Sequence, residues 1–257
     1  MIKIKRNNQV IYWDPYTLIR VNPNCVSYIT SIIKHALTNV YFISFPKCGR
    51  TWIRMLLAHY FSDYYHVQVD PEIIHQWRKN FRMPRTRFTH LGADERIRIE
   101  DLSNFAHYRN KKLVYMIRDP RDVVISYFYH ITKRWQSVPQ DIPNELDHFV
   151  FHQDFGIPRI VHFYNCMIDN ISRVNDVKII HYEGMHEDPV GLFADLASFV
   201  TSDTPVMDYV KRSIEANSFE IMKENERNGI NPHYALKARD IQDPSSCKVR
   251  EGKVGGY

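Results

Sequence analysis

The stretch FISFPKCGRTWIRMLL, residues 42–57, has the residue types of a phosphate-binding loop. An apolar run leads into a short segment around Gly49, and a helical pattern begins near Thr51, which predicts a strand, a tight loop and a helix. Glycine permits a ligand to approach the backbone closely, and the N–H groups of a first helical turn bind anions with the help of the helix dipole. The stretch therefore predicts a phosphate site.

The position of Lys47 distinguishes this loop from the loop of nucleoside-triphosphate enzymes. In that loop the lysine follows the last glycine and precedes Ser or Thr, whereas Lys47 precedes Gly49. A lysine on the entry side reaches a group beyond the bound phosphate, such as the bridging atom of a leaving group. This order favours transfer chemistry at the far end of a 5′-phosphate, with no loop hydroxyl required to hold magnesium.

Short apolar runs separated by helical patterns predict an α/β fold. The predicted strands are residues 40–45, 113–117 and 177–181, and the predicted helices are 51–61, 122–132, a tract within 143–171, 189–199 and 206–216. This alternation is typical of a three-layer sandwich with a central parallel sheet, whose binding sites lie beyond the carboxyl ends of the strands. Lys47, Asp119 and Glu183 each follow a predicted strand. We expect a single domain over residues 1–257.

Composition argues against several classes of protein. The net charge of +5 suits anionic small molecules and nucleic acid equally, so it decides little alone. The sequence lacks the basic helix with interleaved aromatic residues that is typical of nucleic-acid binders, so we expect no nucleic-acid partner. The sequence has no run of 18 apolar residues, the length needed for a membrane span. We therefore expect a cytoplasmic protein without a membrane partner. The four cysteines, Cys25, Cys48, Cys166 and Cys247, lie far apart, and no grouping has the spacing of metal ligands. No metal is expected.

Six segments, in order along the chain, resemble the motifs of the PAPS-dependent sulfotransferases (PAPS is 3′-phosphoadenosine 5′-phosphosulfate). They are SFPKCGRTW (44–52), FTHLG (88–92), VYMIRDPRDVVISYFYH (114–130), HYEGMHEDP (181–189), NSFEIMKEN (217–225) and VREGKVGGY (249–257). The first resembles the 5′-phosphosulfate loop of the family, the third its 3′-phosphate element, and the last the segment that closes over the 3′-phosphate.

The resemblance implies a set of nucleotide contacts. The 5′-phosphosulfate loop would comprise Lys47, Cys48, Gly49, Arg50 and Thr51. The adenine would lie between Trp52 and Phe219, with Tyr182, Ser218 and Met222 nearby, and the 3′-phosphate would contact Arg118, Ser126, Arg250, Glu251 and Gly252. Simpler roles remain open for three of these: core packing for Trp52, an ion pair with Asp119 or Asp122 for Arg118, and an ordinary helix position for Ser126.

The resemblance also implies a mechanism. His90 would act as general base toward a hydroxyl or amine of a small-molecule acceptor, and Lys47 would stabilise the charge on the leaving oxygen as 3′,5′-ADP departs. Ser126 would restrain Lys47 until the acceptor arrives. Residues 62–90, 131–158 and 226–246 would supply the acceptor pocket; their aromatic residues suit a flat acceptor and their carboxylates a cationic one.

Several positions depart from the family pattern. Cys48 replaces a serine, Phe88 stands where lysine is common, and Glu251 stands where a basic residue is usual. Arg87 or Arg50 is a candidate to replace the missing lysine. The family's dimer motif is not found, so the oligomeric state is left open. A kinase that uses a triphosphate and a non-catalytic nucleotide-binding protein are the alternatives to a transferase.

Overall fold

The computed structural model describes the backbone of residues 2–6, 9–14 and 17–21 and, after them, residues 32–71, 82–91, 105–135, 138, 140–230, 240, 242–249, 252 and 254–257. The chain divides into two compact units, Met1–Thr38 and Asn39–Tyr257. The expectation of one domain over residues 1–257 therefore stays a prediction.

The first unit contains a three-stranded antiparallel sheet that the sequence analysis does not predict. Its strands are β1 (Ile2–Arg6), β2 (Gln9–Asp14) and β3 (Thr17–Val21), arranged in chain order. The segment 32–37 is helical, and the Thr38 hydroxyl donates to the Lys34 carbonyl at 2.7 Å.

The second unit is built on a parallel sheet of four strands. They are β4 (Val40–Ser44), β5 (Thr86–Thr89), β6 (Lys112–Ile117) and β7 (Asp176–His181), in the order β5-β4-β6-β7. The three strands predicted in this unit are confirmed, and β5 is an addition. All five residues of β4 are buried, as expected for a strand covered on both faces.

Helices follow the strands. They are α1 (Arg50–Tyr65), α2 (Pro120–Tyr129), α3 (Leu146–Val150), α4 (Ile157–Ile171), α5 (Gly184–Glu187), α6 (Pro189–Thr201), α7 (Met207–Ala216) and α8 (Phe219–Arg227). A π-helical turn, His130–Arg134, continues α2, and 3₁₀ turns cover Phe105–Tyr108 and Pro244–Ser246. Asp188 caps α6 by accepting from the Gly191 N–H at 2.8 Å, as the Asp-Pro start predicts.

The helices lie on both faces of the sheet. The connection from β4 through α1 runs toward β5, whereas the connection from β6 through α2 and α4 runs the opposite way, toward β7. Right-handed crossovers place α1 and α4 on opposite faces for this reason. On the first face α1 contacts α7, which contacts α6, and on the second α2 contacts α4. The predicted three-layer α/β architecture is confirmed.

The carboxyl ends of the four strands meet at one edge. Ile43 pairs with Thr89, Ser44 with Met116, and Ile117 with His181. Four segments that the motifs single out begin at this edge: the loop after β4, His90 after β5, Arg118 after β6 and Tyr182 after β7. Parallel pairing therefore brings together residues that are far apart in the chain.

Candidate active site

A cavity of roughly 180 Å³ opens at this edge of the sheet. Most of the residues predicted from the motifs line it: Lys47, Gly49, Arg50, Thr51, Trp52, His90, Arg118, Ser126, Tyr182, Phe219, Met222 and Gly252. Arg250 and Glu251 lie outside the described residues. Cys48 and Ser218 do not line the cavity.

The loop after β4 forms a cradle of backbone groups. Lys47 and Gly49 both adopt left-handed conformations, with φ of 74° and 82°. A Cβ at Gly49 would lie 2.6 Å from a ring carbon of Tyr182, so glycine is required both by its conformation and by this contact. No side chain of the described residues caps the start of α1. Its first N–H groups and its dipole therefore suit an anion.

Cys48 belongs to the core beneath this loop. Its side chain is fully buried, and its Sγ lies 3.5 Å from the Tyr164 hydroxyl, which donates to the Arg118 carbonyl at 2.8 Å. Burial raises the pKa of the Cys48 thiol to about 12. Any contact of Cys48 with an anion would therefore use its backbone N–H, while its side chain joins the loop to the end of β6.

Arg118 links three parts of the cavity. Its guanidinium donates to the Lys47 carbonyl at 3.3 Å, lies 4.1 Å from the centre of the Tyr182 ring and is 3.7 Å from Asp122. Its side chain is 11% exposed. The ion pair with Asp122 considered from the sequence is thus present, and Arg118 lines the cavity as well. Asp119 pairs instead with Arg121, at 2.7 Å.

Asp122 fastens the segment 254–257 to the cavity. Its two carboxylate oxygens accept from the N–H groups of Gly255 and Gly256, at 2.9 and 3.0 Å. The carboxylate is 3% exposed. One buried acid therefore contacts both Arg118 and the backbone of a segment more than a hundred residues away in sequence.

Aromatic side chains form a slot at the far end of the cavity. The Trp52 indole N–H donates to the Asn217 carbonyl at 2.9 Å, which fixes the ring beside Phe219, Met222 and Val249. A Cβ at Gly252, with φ of 62°, would lie 2.2 Å from the Phe219 ring.

Ser218 has a structural contact next to this slot. Its hydroxyl oxygen caps α8 by accepting from the Ile221 N–H at 3.4 Å. A Ser-Phe-x-x motif at this position is therefore also a helix start.

His90 is held in one tautomer. Its Nδ1 lies 2.9 Å from the Ser44 carbonyl oxygen, which only accepts, so Nδ1 carries the proton and Nε2 keeps a lone pair. Burial, and after it the positive charge of Arg50, lowers the pKa of His90 well below its usual value, although the hydrogen bond to Ser44 opposes this shift. The imidazole is therefore neutral and able to accept a proton.

Three further cavity residues, His130, His186 and Lys248, were not singled out by the motifs. Burial lowers the pKa of His130 to about 2, with Lys47 the next cause, and burial followed by Arg134 lowers the pKa of Lys248 to about 8. His186 lies 5.1 Å from Trp52, ring to ring. His130 and His186 fall inside motif segments, whereas Lys248 directly precedes one and carried no sequence signal.

Phe88, which stands where lysine is common in the family, packs against two neighbouring side chains. Its ring stacks on Phe42 at 4.4 Å, and the Arg54 guanidinium lies 4.7 Å from its centre. Of the two candidates for the missing cation, Arg50 lines the cavity and Arg87 does not.

Two features are absent from the described parts of the chain. No group of three or more His, Cys, Asp or Glu residues is arranged to hold a metal ion there. No described helix has the length and apolar character needed to cross a membrane.

Comparison with known proteins identifies the family. The sulfotransferase domain model matches residues 37–257. Flavonol 3-sulfotransferase of Flaveria bidentis is 22% identical over 236 residues, covering 85% of this chain and 75% of the relative. Sulfotransferase 1E1 of Rattus norvegicus is 28% identical over 240 residues, covering 84% and 75%.

The fold is similar to that of solved structures of retinol dehydratase. A crystal structure of retinol dehydratase in complex with androsterone and inactive cofactor PAP has a TM-score of 0.53 and 16% identity, covering 96% of this chain and 82% of that one. A second, of retinol dehydratase with retinol and PAP, has a TM-score of 0.51 and 18% identity, covering 85% and 75%. The chain therefore belongs to the sulfotransferase domain family, a family of PAPS-dependent enzymes, as its motifs predicted.

Proposed function

We propose that the cavity binds PAPS and that the protein transfers the sulfuryl group to a hydroxyl or amine of a small-molecule acceptor, with 3′,5′-ADP as the second product. The observation that carries this proposal is the neutral His90, fixed by Ser44, in the same cavity as an anion-binding loop. When bound, PAPS supplies a sulfuryl group whose bond to the 5′-phosphate oxygen breaks, leaving its electron pair on that oxygen, while sulfur bonds to the acceptor atom.

The residues that line the cavity fit such a nucleotide. Gly49 and Gly252 let the rings of Tyr182 and Phe219 lie against the backbone where a Cβ would collide with them, and the start of α1 offers N–H groups without a side-chain cap among the described residues. We assign the 5′-phosphosulfate to the loop of Lys47, Cys48, Gly49, Arg50 and Thr51, with Cys48 acting through its backbone. Such a cradle suits phosphate oxygens because it presents only donors and positive charge.

The other nucleotide groups have candidate contacts of matching chemistry. Trp52, Phe219, Tyr182 and Met222 present flat or apolar faces for adenine. Arg118 and Ser126 offer a cation and a hydroxyl for the 3′-phosphate, next to Gly252. A contact from Arg250 stays a prediction, as does the loss of one at Glu251.

His90 and Lys47 would divide the chemistry between them. His90 takes the acceptor proton on Nε2, because its Nδ1 is already bonded to Ser44. Lys47 neutralises the charge that grows on the leaving oxygen, a contact that strengthens as the bond breaks. Ser126 lines the same cavity, and its restraint of Lys47 stays a prediction.

A small-molecule acceptor is supported by the relatives. One is named for a flavonol, and a structural neighbour holds androsterone. Parts of 62–90 and 226–246, which we expect to form the acceptor pocket, lie outside the described residues. A cytoplasmic location and the absence of a metal requirement stay predictions.

Ligand-dependent melting and labelled transfer test the proposal. PAPS and 3′,5′-ADP should raise the melting temperature in the presence of EDTA, because a ligand that binds only the native state stabilises it. ADP without the 3′-phosphate should do so much less. Transfer of ³⁵S from PAPS to a panel of phenols, flavonols, steroids and amines should label at least one acceptor.

Two results would contradict the proposal. Equal shifts from ADP and 3′,5′-ADP would remove the 3′-phosphate assignment. Turnover of ATP with magnesium, without any sulfuryl transfer, would favour a kinase.

A further inference from the structure

Lys248 is a cation in the cavity with no role in the mechanism above. It lines the cavity together with His90, Lys47 and His130. Its positive charge is among the causes that lower the pKa of both histidines. Lys248 therefore lies near the base, close enough for its charge to act on His90.

The backbone of Lys248 is held in place by a buried acid. The N–H groups of Lys248 and Val249 donate to the two carboxylate oxygens of Glu226, at 2.6 and 2.7 Å. Glu226 is 3% exposed and lies 3.5 Å from Arg134, which donates to the Ser246 carbonyl at 2.6 Å. The lysine is thus presented to the cavity from a fixed backbone.

The ammonium of Lys248 has no anionic partner among the residues that the structure describes. Among the described residues no carboxylate lies within ion-pair distance of its Nζ, and Glu226 is engaged by two N–H groups and Arg134. The charges that act on it most are the cations Arg134, Arg50 and Arg54. A half-buried cation among other cations is costly unless an anion completes the site.

We propose that Lys248 contacts the sulfuryl group during transfer, as a second cation beside Lys47. The inference rests on the proposed function, because it requires PAPS in the cavity. A sulfuryl group between the 5′-phosphate and the acceptor lies next to the base, and Lys248 shares that end with His90. Its ammonium would offset the negative charge of the sulfuryl oxygens, while the acceptor proton still passes to His90.

The proposal makes the affinity for PAPS depend on pH. Because the pKa of Lys248 is lowered to about 8, its ammonium loses its proton as the pH rises above that value. Affinity for PAPS should then fall by up to tenfold per pH unit. The groups facing Lys248 are Arg50 and Arg54 of α1, Arg134 of the π-helical turn, Glu226 of α8, and the two histidines His90 and His130. The two histidines are already neutral in this range, because burial lowers the pKa of each.

The test compares PAPS with 3′,5′-ADP, which lacks the sulfuryl group. Dissociation constants are measured by calorimetry for the wild type, Lys248→Met and Lys248→Arg, with the exposed Lys211→Met as control. Lys248→Met should weaken PAPS about 10- to 100-fold and 3′,5′-ADP less than about threefold. Lys248→Arg should retain PAPS affinity and remove its decline above pH 8, since arginine stays charged.

Other outcomes would overturn the proposal. Equal weakening of both ligands would make Lys248 a nucleotide contact, and no weakening of either would exclude any contact. A lower melting temperature with unchanged affinities would leave a structural role. If Lys248→Met fails to fold, a PAPS affinity of the wild type that stays constant from pH 7 to 9.5 still refutes the inference. A wild type that binds neither ligand would instead refute the proposed function.

Discussion

The two ends of the cavity differ in the kind of contact that shapes them. We call the part that we assign to the nucleotide the nucleotide end, and the part around His90 the transfer end. At the nucleotide end the decisive contacts involve the backbone: Gly49 lies against Tyr182, Gly252 lies against Phe219, and Asp122 holds two N–H groups. At the transfer end they involve half-buried side chains that titrate, His90, His130 and Lys248, whose pKa values are all lowered by loss of solvent.

This difference separates recognition from reactivity. Backbone N–H groups do not titrate, so the nucleotide end keeps its donors at any pH. The transfer end depends on desolvation, which removes charge from histidine and lysine alike. Substitutions at the first end should therefore change affinity, and substitutions at the second should change turnover and pH dependence.

The largest expected effect is at the transfer end. His90→Ala should lower kcat by about 10²–10⁴-fold, the usual contribution of a general base. Its affinity for 3′,5′-ADP should stay within about twofold of the wild type, because we assign the histidine to the acceptor and not to the nucleotide. Steady-state kinetics and calorimetry on the same preparation measure both. His148→Ala, which removes an exposed histidine, is the control. A folded His90→Ala enzyme with near-normal turnover would exclude it as the base.

The next effect is at the nucleotide end. Arg118→Ala should weaken PAPS and 3′,5′-ADP by about 10- to 100-fold, as expected for a charge-assisted contact. Its effect on ADP without the 3′-phosphate should be small. Arg121→Ala is the matched control, since that arginine is three residues further on, is exposed and pairs with Asp119. An equal loss for ADP would mean that Arg118 acts by supporting the loop through the Lys47 carbonyl.

A smaller loss of affinity is expected when the backbone cradle is disturbed. Gly49→Ala should weaken 3′,5′-ADP about tenfold and cost about 1–2 kcal/mol of stability, because alanine is strained at positive φ and its Cβ would displace Tyr182. Gly229→Ala provides the comparison. Its φ is 63° and no atom lies within 4 Å of the added Cβ, so it should lose stability alone. Equal affinities for the two variants would show that the Tyr182 contact does not matter.

The smallest effect concerns how His130, at the transfer end, makes the free energy of unfolding depend on pH. The pKa of His130 is about 2 when folded and about 6.5 when unfolded. Below pH 6.5 the unfolded chain therefore binds more protons than the folded chain, and the stability of the fold decreases as the pH is lowered. His130→Phe should reduce this loss between pH 7.5 and 5.5 by about 1 kcal/mol, or roughly 2–4 °C in Tm. The exposed His148→Phe should not. Identical slopes for wild type and His130→Phe would contradict the buried neutral state.

The nucleotide end could be predicted from sequence because its residues lie next to strong local patterns. The apolar runs of β4, β6 and β7 mark strand ends, and the residues just beyond them reach the cavity. β5 was missed because TRFT is only four residues long and lacks the apolar run that marks the other strands of this sheet, so its pairing with β4 identifies it as a strand. The alternation in IKIKR of β1 is a strand signal that was available and was not used.

The transfer end was predicted less completely. His90 was found by resemblance alone, and its position follows from the missed strand β5. Lys248 enters the cavity because Glu226 fixes its backbone, a contact between positions 22 residues apart with no periodic pattern. Cys48 and Ser218 show that a motif match does not determine what a side chain contacts. Both positions lie in motifs, but the Cys48 side chain points to the core and the Ser218 side chain caps a helix.

The hydrogen bonds between Glu226 and the segment that carries Lys248 have a consequence for how such a site evolves. Glu226 recognises residues 248 and 249 only through their N–H groups, so it holds this segment whatever side chains the two positions carry, proline excepted. A cation at position 248 can be gained or lost in one substitution while the backbone path stays the same. Selection on the proposed contact with the sulfuryl group could therefore act on this position while binding of the 3′,5′-ADP part of the nucleotide stays the same.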